Sequence, residues 1–494
     1  MESSGPSRSW RPAGLVLLCS SLLLNVLLLA HHFLPPSSWR PGDDGGGHQL
    51  SWALQAAVEA EAAAATDCSG HGRVYLDGVP GEDGRPACEC NRCFVGPDCS
   101  RRTPNCTADA ESADQMFMEP YWMRHAADSA VVVSGWHRMS YFATDDGAYQ
   151  SAELERHIRM LHKAVGNAVV DDKHIVFGTG SMKLLNALVH ALSSTPDGID
   201  ATTPASVVAT APYYPSYRTQ TVMFNGRDYK WAGTTANASS STRRKSNTST
   251  SSFVEFVTSP NNPDFLLRKQ VMPSNSKVIA DHVYYWPHFT PIPSPADEDV
   301  MLFSASKLSG HAGSRFGWAL IRDAAVAARV KSYLEESSMG DSRDTQLRVL
   351  RVLKVVLANL HGDKDDMFAF ANGVMAARWR RLDAVLARGR GGVLSVKKKI
   401  PPRYCTYFKR VREPAPAFAW VKCEREQDHD CYEALLKAGI VTQSGVDSED
   451  SARYTRVSLV KTEDDFDVLL ERLTDFVTAD EKQYSAPSST SASA

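Results

Sequence analysis

The chain has 494 residues, 43% of them hydrophobic and 22% charged, with a formal net charge of −3. That length accommodates two or three domains with a sizeable core. The near-balance of charge offers no basic surface to nucleic acid, which is not expected as a partner.

At the N-terminus, Arg8 and Arg11 precede an apolar run over residues 14–30, and no charge occurs between Pro12 and Trp39. The run is close to the lower limit for a membrane span and long for the core of a signal peptide. His31-His-Phe-Leu-Pro-Pro follows where a small-x-small cleavage site would stand. Residues 1–39 therefore read as a signal anchor in the endoplasmic reticulum membrane, with a cleaved signal peptide as the alternative. Basic residues ahead of the span predict a cytoplasmic N-terminus and a lumenal catalytic region. Cleavage would instead give a secreted or vacuolar protein. Residues 40–66 read as a linker, glycine-rich at first and then alanine-rich with helical character.

Six of the ten cysteines, Cys68, Cys88, Cys90, Cys93, Cys99 and Cys106, fall inside a module at 67–107 with many glycines and little apolar material. Such a module cannot build a core of its own and needs cross-links. Cys90-Asn-Arg-Cys93 also has the spacing of a zinc site. The targeting segment points to an oxidising compartment, so disulfides are expected and a metal is not. Cys423 and Cys431 are spaced to bridge a short loop, leaving Cys405 as a buried thiol. Asn105, Asn237 and Asn247 open N-glycosylation sequons.

The catalytic region spans 110–478. Strand and helix patterns alternate over about 150–330, as a mainly parallel sheet flanked by helices requires. A smaller α+β portion, from 110–150 and 335–478, is expected to pack over the cleft. The polar stretch 234–252 reads as an insertion, and 479–494 as a disordered tail.

Lys307 lies between two apolar runs, Val300-Met-Leu-Phe303 and Trp318-Ala-Leu-Ile321, in a segment of small residues. Enclosed lysines lose their charge readily and become amine nucleophiles or bases. Ser304 and Arg315 flank it. The combination suits an aldehyde cofactor with a phosphate tail, pyridoxal 5'-phosphate (PLP): lysine for a Schiff base, hydroxyl and guanidinium for the phosphate. Such a cofactor needs a carboxylate against its ring nitrogen, and Asp281 ends the apolar strand pattern Val278-Ile-Ala280. It needs an anion cradle, which the strand–turn–helix pattern around Gly178-Thr-Gly-Ser181 supplies. Tyrosines in Pro212-Tyr-Tyr-Pro-Ser-Tyr217 offer a flat group to stack on the ring, and Asn262 a donor for its phenolic oxygen.

These segments, with Met139-Ser-Tyr-Phe142, Tyr284-Tyr-Trp-Pro-His-Phe289 and Tyr454-Thr-Arg-Val-Ser-Leu459, resemble the plant alliinase and tryptophan-aminotransferase-related family. The resemblance implies the fold-type-I PLP-dependent transferase fold, α/β, preceded by an EGF-like module. It implies Lys307 as the Schiff-base lysine and Asp281 as the partner of the pyridine nitrogen. Tyr284 and Asn262 would contact the phenolic oxygen, and Tyr214 would stack on the ring. Gly180, Ser181, Met182, Ser304 and Arg315 would hold the phosphate, and Arg456 the substrate carboxylate. Tyr141 would reach the cofactor of a neighbouring subunit, implying a homodimer. For the cysteine module it implies the pairs 68–88, 90–99 and 93–106. The expected partners are an amino acid and a 2-oxo acid. The expected activity is transamination of an aromatic amino acid, L-tryptophan to indole-3-pyruvate for auxin synthesis. The alternative is alliinase-type C–S lysis of S-alkyl-L-cysteine sulfoxides.

Overall fold

A computed structural model of the protein describes residues 51–74, 87–145, 147, 149–193, 204–244, 252–362, 365–389, 392–396 and 400–484. The expected signal anchor, the start of the linker, Asn247 and the tail beyond 484 lie outside the described residues. Among those described, no helix is long and apolar enough to cross a membrane.

The larger sheet has seven strands: His174–Gly178 (β1), Ala205–Ala209 (β2), Tyr229–Thr234 (β3), Phe253–Thr258 (β4), Lys277–Asp281 (β5), Val300–Ser304 (β6) and Gly317–Ile321 (β7). Their spatial order is β1-β7-β6-β5-β4-β2-β3. Strand β7 runs antiparallel to both neighbours, and every other pairing is parallel. The chain between β6 and β7 holds one short α-helix, Ala305–Leu308, and turns back instead of crossing over the sheet. Lys307 sits in that return. Strands β4, β6 and β7 are buried along their whole length, which explains the apolar runs of β6 and β7; β4 also carries Glu255, whose carboxylate accepts from the Val271 and Met272 N–H groups. The helix Gly180–Ser193 covers one face of the sheet, with Leu184, Leu185 and Leu188 in the core.

A second, antiparallel sheet is formed by Leu394–Val396 (β8), Phe418–Cys423 (β9), Gln443–Ser444 (β10) and Tyr454–Ser458 (β11), in the order β8-β9-β11-β10. Helices Met367–Leu386 and Glu463–Tyr484 pack together beside it. The second helix runs past the expected boundary at 478 to Tyr484. Three acids in its first turn, Glu463, Asp464 and Asp465, favour the start of that helix. The polar insertion also differs from expectation. Its first part is a helix, Thr235–Arg244, because Ala238 is buried against Val208, Phe253 and Met272, and the Thr234 hydroxyl accepts from the Asn237 N–H.

In the cysteine module the bonded pairs are Cys68–Cys88, Cys90–Cys99 and Cys93–Cys106. Cys90 and Cys93 are both oxidised there, so neither is a thiolate for zinc. Cys423–Cys431 ties the end of β9 to the helix Cys431–Lys437, and Cys405 is buried and free. The alanine-rich stretch ahead of the module is a helix, Trp52–Ala64, with no buried residue.

The module is fastened to the catalytic region by polar contacts. Asp464 receives His71 at 3.0 Å and Asn91 at 2.8 Å, while Arg73 reaches Glu119 at 3.1 Å. Arg472 donates to the Cys106 carbonyl at 2.9 Å. Immediately afterwards Ala108–Asp109 pairs in parallel with Ile440–Val441. The chain leaving Cys106 is thus held on both sides and directed along one path. Replacing Cys93 and Cys106 by serine should lower stability by about 2–4 kcal/mol, the usual effect of one such bridge. A urea titration of the oxidised double variant against wild type checks this, and an unchanged midpoint would refute it.

Candidate functional site

The parallel strands end at one edge of the large sheet, and the candidate residues collect there. Gly178 of β1, Gly317 of β7 and Ser304 of β6 lie in register across that edge. Asp281 closes β5, paired with Thr258 at the end of β4. Ligands of open α/β sheets bind at this edge.

Ser304 caps the short helix Ala305–Leu308 by accepting from the Ser306 N–H, which fixes where Lys307 points. The Lys307 Nζ donates to the Ala113 carbonyl at 2.8 Å and lies 5.7 Å from the centre of the Tyr284 ring. Burial, reinforced by the nearby positive charge of Arg456, lowers its pKa to about 8, with Asp114 opposing. The amine therefore loses its proton more readily than an ordinary lysine, although the ammonium still predominates below about pH 8.

Asp281 is 4% exposed. The Tyr217 hydroxyl donates to it at 2.7 Å and the Val283 N–H at 3.1 Å. Burial raises its pKa, and these two donors work against the rise. Tyr217 is itself fixed, its hydroxyl 2.6 Å from that of Thr258 and its ring stacked on Phe256 at 4.2 Å. Arg456, on β11, donates to the Asn262 Oδ1 at 2.9 Å and to the Glu111 carbonyl at 2.6 Å, and lies 4.2 Å over the Phe418 ring. Its Nε is buried without a partner.

On the side of β1, Gly180 opens a helix with φ +72°, and a β-carbon there would stand 2.5 Å from the Arg315 guanidinium. A β-carbon on Gly317 would stand 2.9 Å from the Ser181 nitrogen. Only glycines allow backbone, helix start and guanidinium to converge so closely. First-turn N–H groups have no partner within a helix, so the place suits an anion.

Ser181, Tyr214, Asn262, Asp281, Tyr284 and Lys307 line one cavity. Gly180 precedes Ser181 and stands against the Arg315 guanidinium, Ser304 caps the helix that carries Lys307, and Arg456 joins through Asn262. Met182 adjoins it, its sulfur 3.8 Å from the Tyr214 hydroxyl. Tyr141 does not line the cavity of its own chain; it is 70% exposed. Three contributors escape the sequence reading. Tyr217 belongs to the tyrosine cluster already noted, but nothing in sequence singles it out as the partner of Asp281. Glu111 and Ala113 act through backbone carbonyls, so their side chains carry no signal.

Comparison with known proteins matches residues 108–477 to the allinase family model and residues 51–106 to the alliinase EGF-like domain. The chain belongs to the alliinase family. Tryptophan aminotransferase-related protein 3 of Arabidopsis thaliana is 45% identical over 464 residues, 94% of this chain and 97% of that one. Alliin lyase of Allium cepa is 47% identical over 438 residues, 88% of this chain and 89% of that one. Among solved structures, an aminotransferase from Staphylococcus aureus superposes with a TM-score of 0.52 at 16% identity, over 76% of this chain and 94% of that one. A second, an Escherichia coli protein whose structure identified a methionine aminotransferase function, gives 0.51 at 14%, over 74% and 94%. These two show the fold, that of fold-type-I aminotransferases.

Enzymes of the alliinase family and this fold depend on PLP, and the residues present fit it. An enclosed amine of lowered pKa, a buried carboxylate and a glycine-built anion cradle surround one cavity. Gly180→Ala should strain a left-handed residue and push Arg315 aside, lowering PLP affinity at least about tenfold, equivalent to about 1.4 kcal/mol. Fluorescence titration of the apo-enzyme with PLP measures this, and unchanged affinity would count against the cradle. Lys307 must be uncharged to attack an aldehyde, and its depressed pKa puts that form above about pH 8 rather than above the usual lysine value. The rate of PLP uptake by apo-enzyme should rise with pH and level off just above pH 8. Stopped-flow absorbance checks it, with Lys307→Ala as the unreactive control.

Proposed function

We propose that this PLP-dependent enzyme is an aminotransferase acting on an aromatic amino acid, L-tryptophan giving indole-3-pyruvate, as in auxin synthesis. The observation that carries the chemistry is the grouping of Lys307 and Asp281 around one cavity, with Arg456 joined to it through Asn262. Arg456 serves as the clamp for the substrate carboxylate, because a guanidinium binds a carboxylate in bidentate fashion. It would exchange the Glu111 carbonyl for the substrate. Lys307 removes the Cα proton as general base, and its lowered pKa suits that task near neutral pH. PLP supplies the electron sink when bound. Asp281, held by Tyr217 and the Val283 N–H, keeps the ring nitrogen protonated. Ser181, Met182 and Arg315 would hold the phosphate.

The assignment of substrate is supported by the extent of similarity to tryptophan aminotransferase-related protein 3. The second reading, C–S lysis of cysteine sulfoxides, is supported by comparable similarity to alliin lyases and by the match to the alliinase EGF-like domain. Lys307 takes the Cα proton in both. In transamination it delivers that proton onward; in lysis a sulfur group leaves Cβ of the substrate. Holoenzyme given L-tryptophan and a 2-oxo acid should form indole-3-pyruvate, and S-alkyl-L-cysteine sulfoxide should yield no pyruvate. The reverse pattern would establish the lyase instead.

A further inference from the structure

The turn Gly178–Ser181 and the Arg315 guanidinium are the two arms of the anion cradle, and one segment holds both from outside. It begins in the connection between the helices Ala324–Ser338 and Arg343–Ala358. There the Asp341 Oδ1 accepts from the Thr179 hydroxyl at 2.7 Å. Thr179 is the one residue of the turn that belongs neither to β1 nor to the helix that follows, so its side chain supplies its anchor. In the second turn of the helix Arg343–Ala358, the Arg348 Nε donates to the Ser314 hydroxyl at 3.1 Å. Ser314 immediately precedes Arg315, which stands at φ +51°.

The segment is itself braced. Gly340 has φ +78°, and a β-carbon there would stand 3.0 Å from Tyr149. The buried Gln346 amide donates to the Asp341 carbonyl at 3.1 Å and to the Tyr149 carbonyl at 2.9 Å, and accepts from the Ser151 N–H at 2.8 Å. Gln150, between those two residues, serves β1 as a neighbouring strand would. Its amide donates to the Ile175 carbonyl at 3.0 Å and accepts from the Phe177 N–H at 2.9 Å. Strand β1 lies at the sheet's edge, and these bonds close that edge just before the turn. The Asp341 Oδ2 is buried without a partner among the described residues. Burial raises the pKa of this carboxyl to about 6, with the Thr179 hydroxyl opposing, so near neutral pH it is mainly an acceptor-only carboxylate. A carboxylate desolvated in this way for the sake of one hydroxyl contributes little to stability. We infer that Asp341 and Arg348 are positioning residues for the PLP phosphate. Acting through Thr179 and Ser314, they set the spacing between the glycine turn and Arg315.

Pyridoxal, which has the aldehyde but no phosphate, separates this role from a general loosening of the cavity. Full-length apo-enzyme titrated by fluorescence should bind PLP about three- to tenfold more weakly in Asp341→Ala, the usual effect of one hydrogen bond, with pyridoxal affinity unchanged. Thr179→Val, a change of an exposed side chain, should reproduce the loss. The double variant should be no weaker than either single one, because both remove the same bond. Asp341→Asn keeps an acceptor for Thr179 and should restore most of the PLP affinity. Arg348→Met should weaken PLP and spare pyridoxal through the other arm. PLP affinity does not depend on whether the enzyme transaminates or lyses its substrate, so the outcome is separable from that assignment. Unchanged PLP affinity in Thr179→Val or in Arg348→Met would overturn the inference. So would an equal loss of pyridoxal affinity, or losses that add in the double variant.

Discussion

A lysine amine whose proton is loosened by burial is the constraint around which this molecule is arranged. Burying an ammonium is costly, and the cost is relieved when the proton leaves. The fold holds Lys307 in that condition by placing it in the tight return between β6 and β7, with a buried arginine close by. The antiparallel β7 follows from the same return. A helical crossover would have carried the lysine away from the strand ends where Asp281 and the glycine turn lie. Opposing this pressure, Asp281 is a carboxylate in an equally buried place, retained by two hydrogen-bond donors. Burial thus presses both groups of one cavity towards their neutral forms, and only Asp281 has donors that resist it.

The cysteine module belongs to this arrangement, not to an appendage. Its last disulfide and the Arg472 contact fix Cys106, and pairing with Ile440–Val441 fixes the next residues. The strap that follows brings the carbonyls of Glu111 and Ala113 to Arg456 and Lys307. Both are backbone groups, so their placement depends on the path of the chain alone. A loose strap would leave the two cations without those acceptors. The module thus helps set the position of polar atoms at the start of the catalytic region.

Much of this was legible in the sequence where the chemistry is local. Lys307, Asp281 and the Gly178–Ser181 turn each sit at a strand end flagged by apolar runs, and each demands a particular residue type. Arg456 was reached through family resemblance, since alone it looks like a strand with one charge; Asn262 was offered from its own segment, where Asn-Pro also reads as an ordinary turn. Tyr217 illustrates what sequence cannot give. Its hydroxyl meets Asp281 because its ring stacks on Phe256 of β4, a long-range contact. The helix Thr235–Arg244 was hidden by composition, since a single buried alanine anchors an otherwise polar segment.

The two chemistries open to this family differ in the fate of one proton. On the proposed mechanism Lys307 becomes an ammonium after taking the Cα proton, and it must keep that proton long enough to deliver it. The Ala113 carbonyl favours the charged form, because it accepts from N–H and offers nothing to a lone pair. Arg456 acts in the opposite sense by electrostatic repulsion. Substrate binding alters this balance, because a carboxylate on Arg456 neutralises the repulsion and raises the basicity of Lys307 when proton removal is required. A clamp that recognises the substrate and a base that acts on it are therefore coupled through charge. The coupling requires no motion of either side chain, and it operates whether the proton is next delivered or the substrate instead loses a group from Cβ.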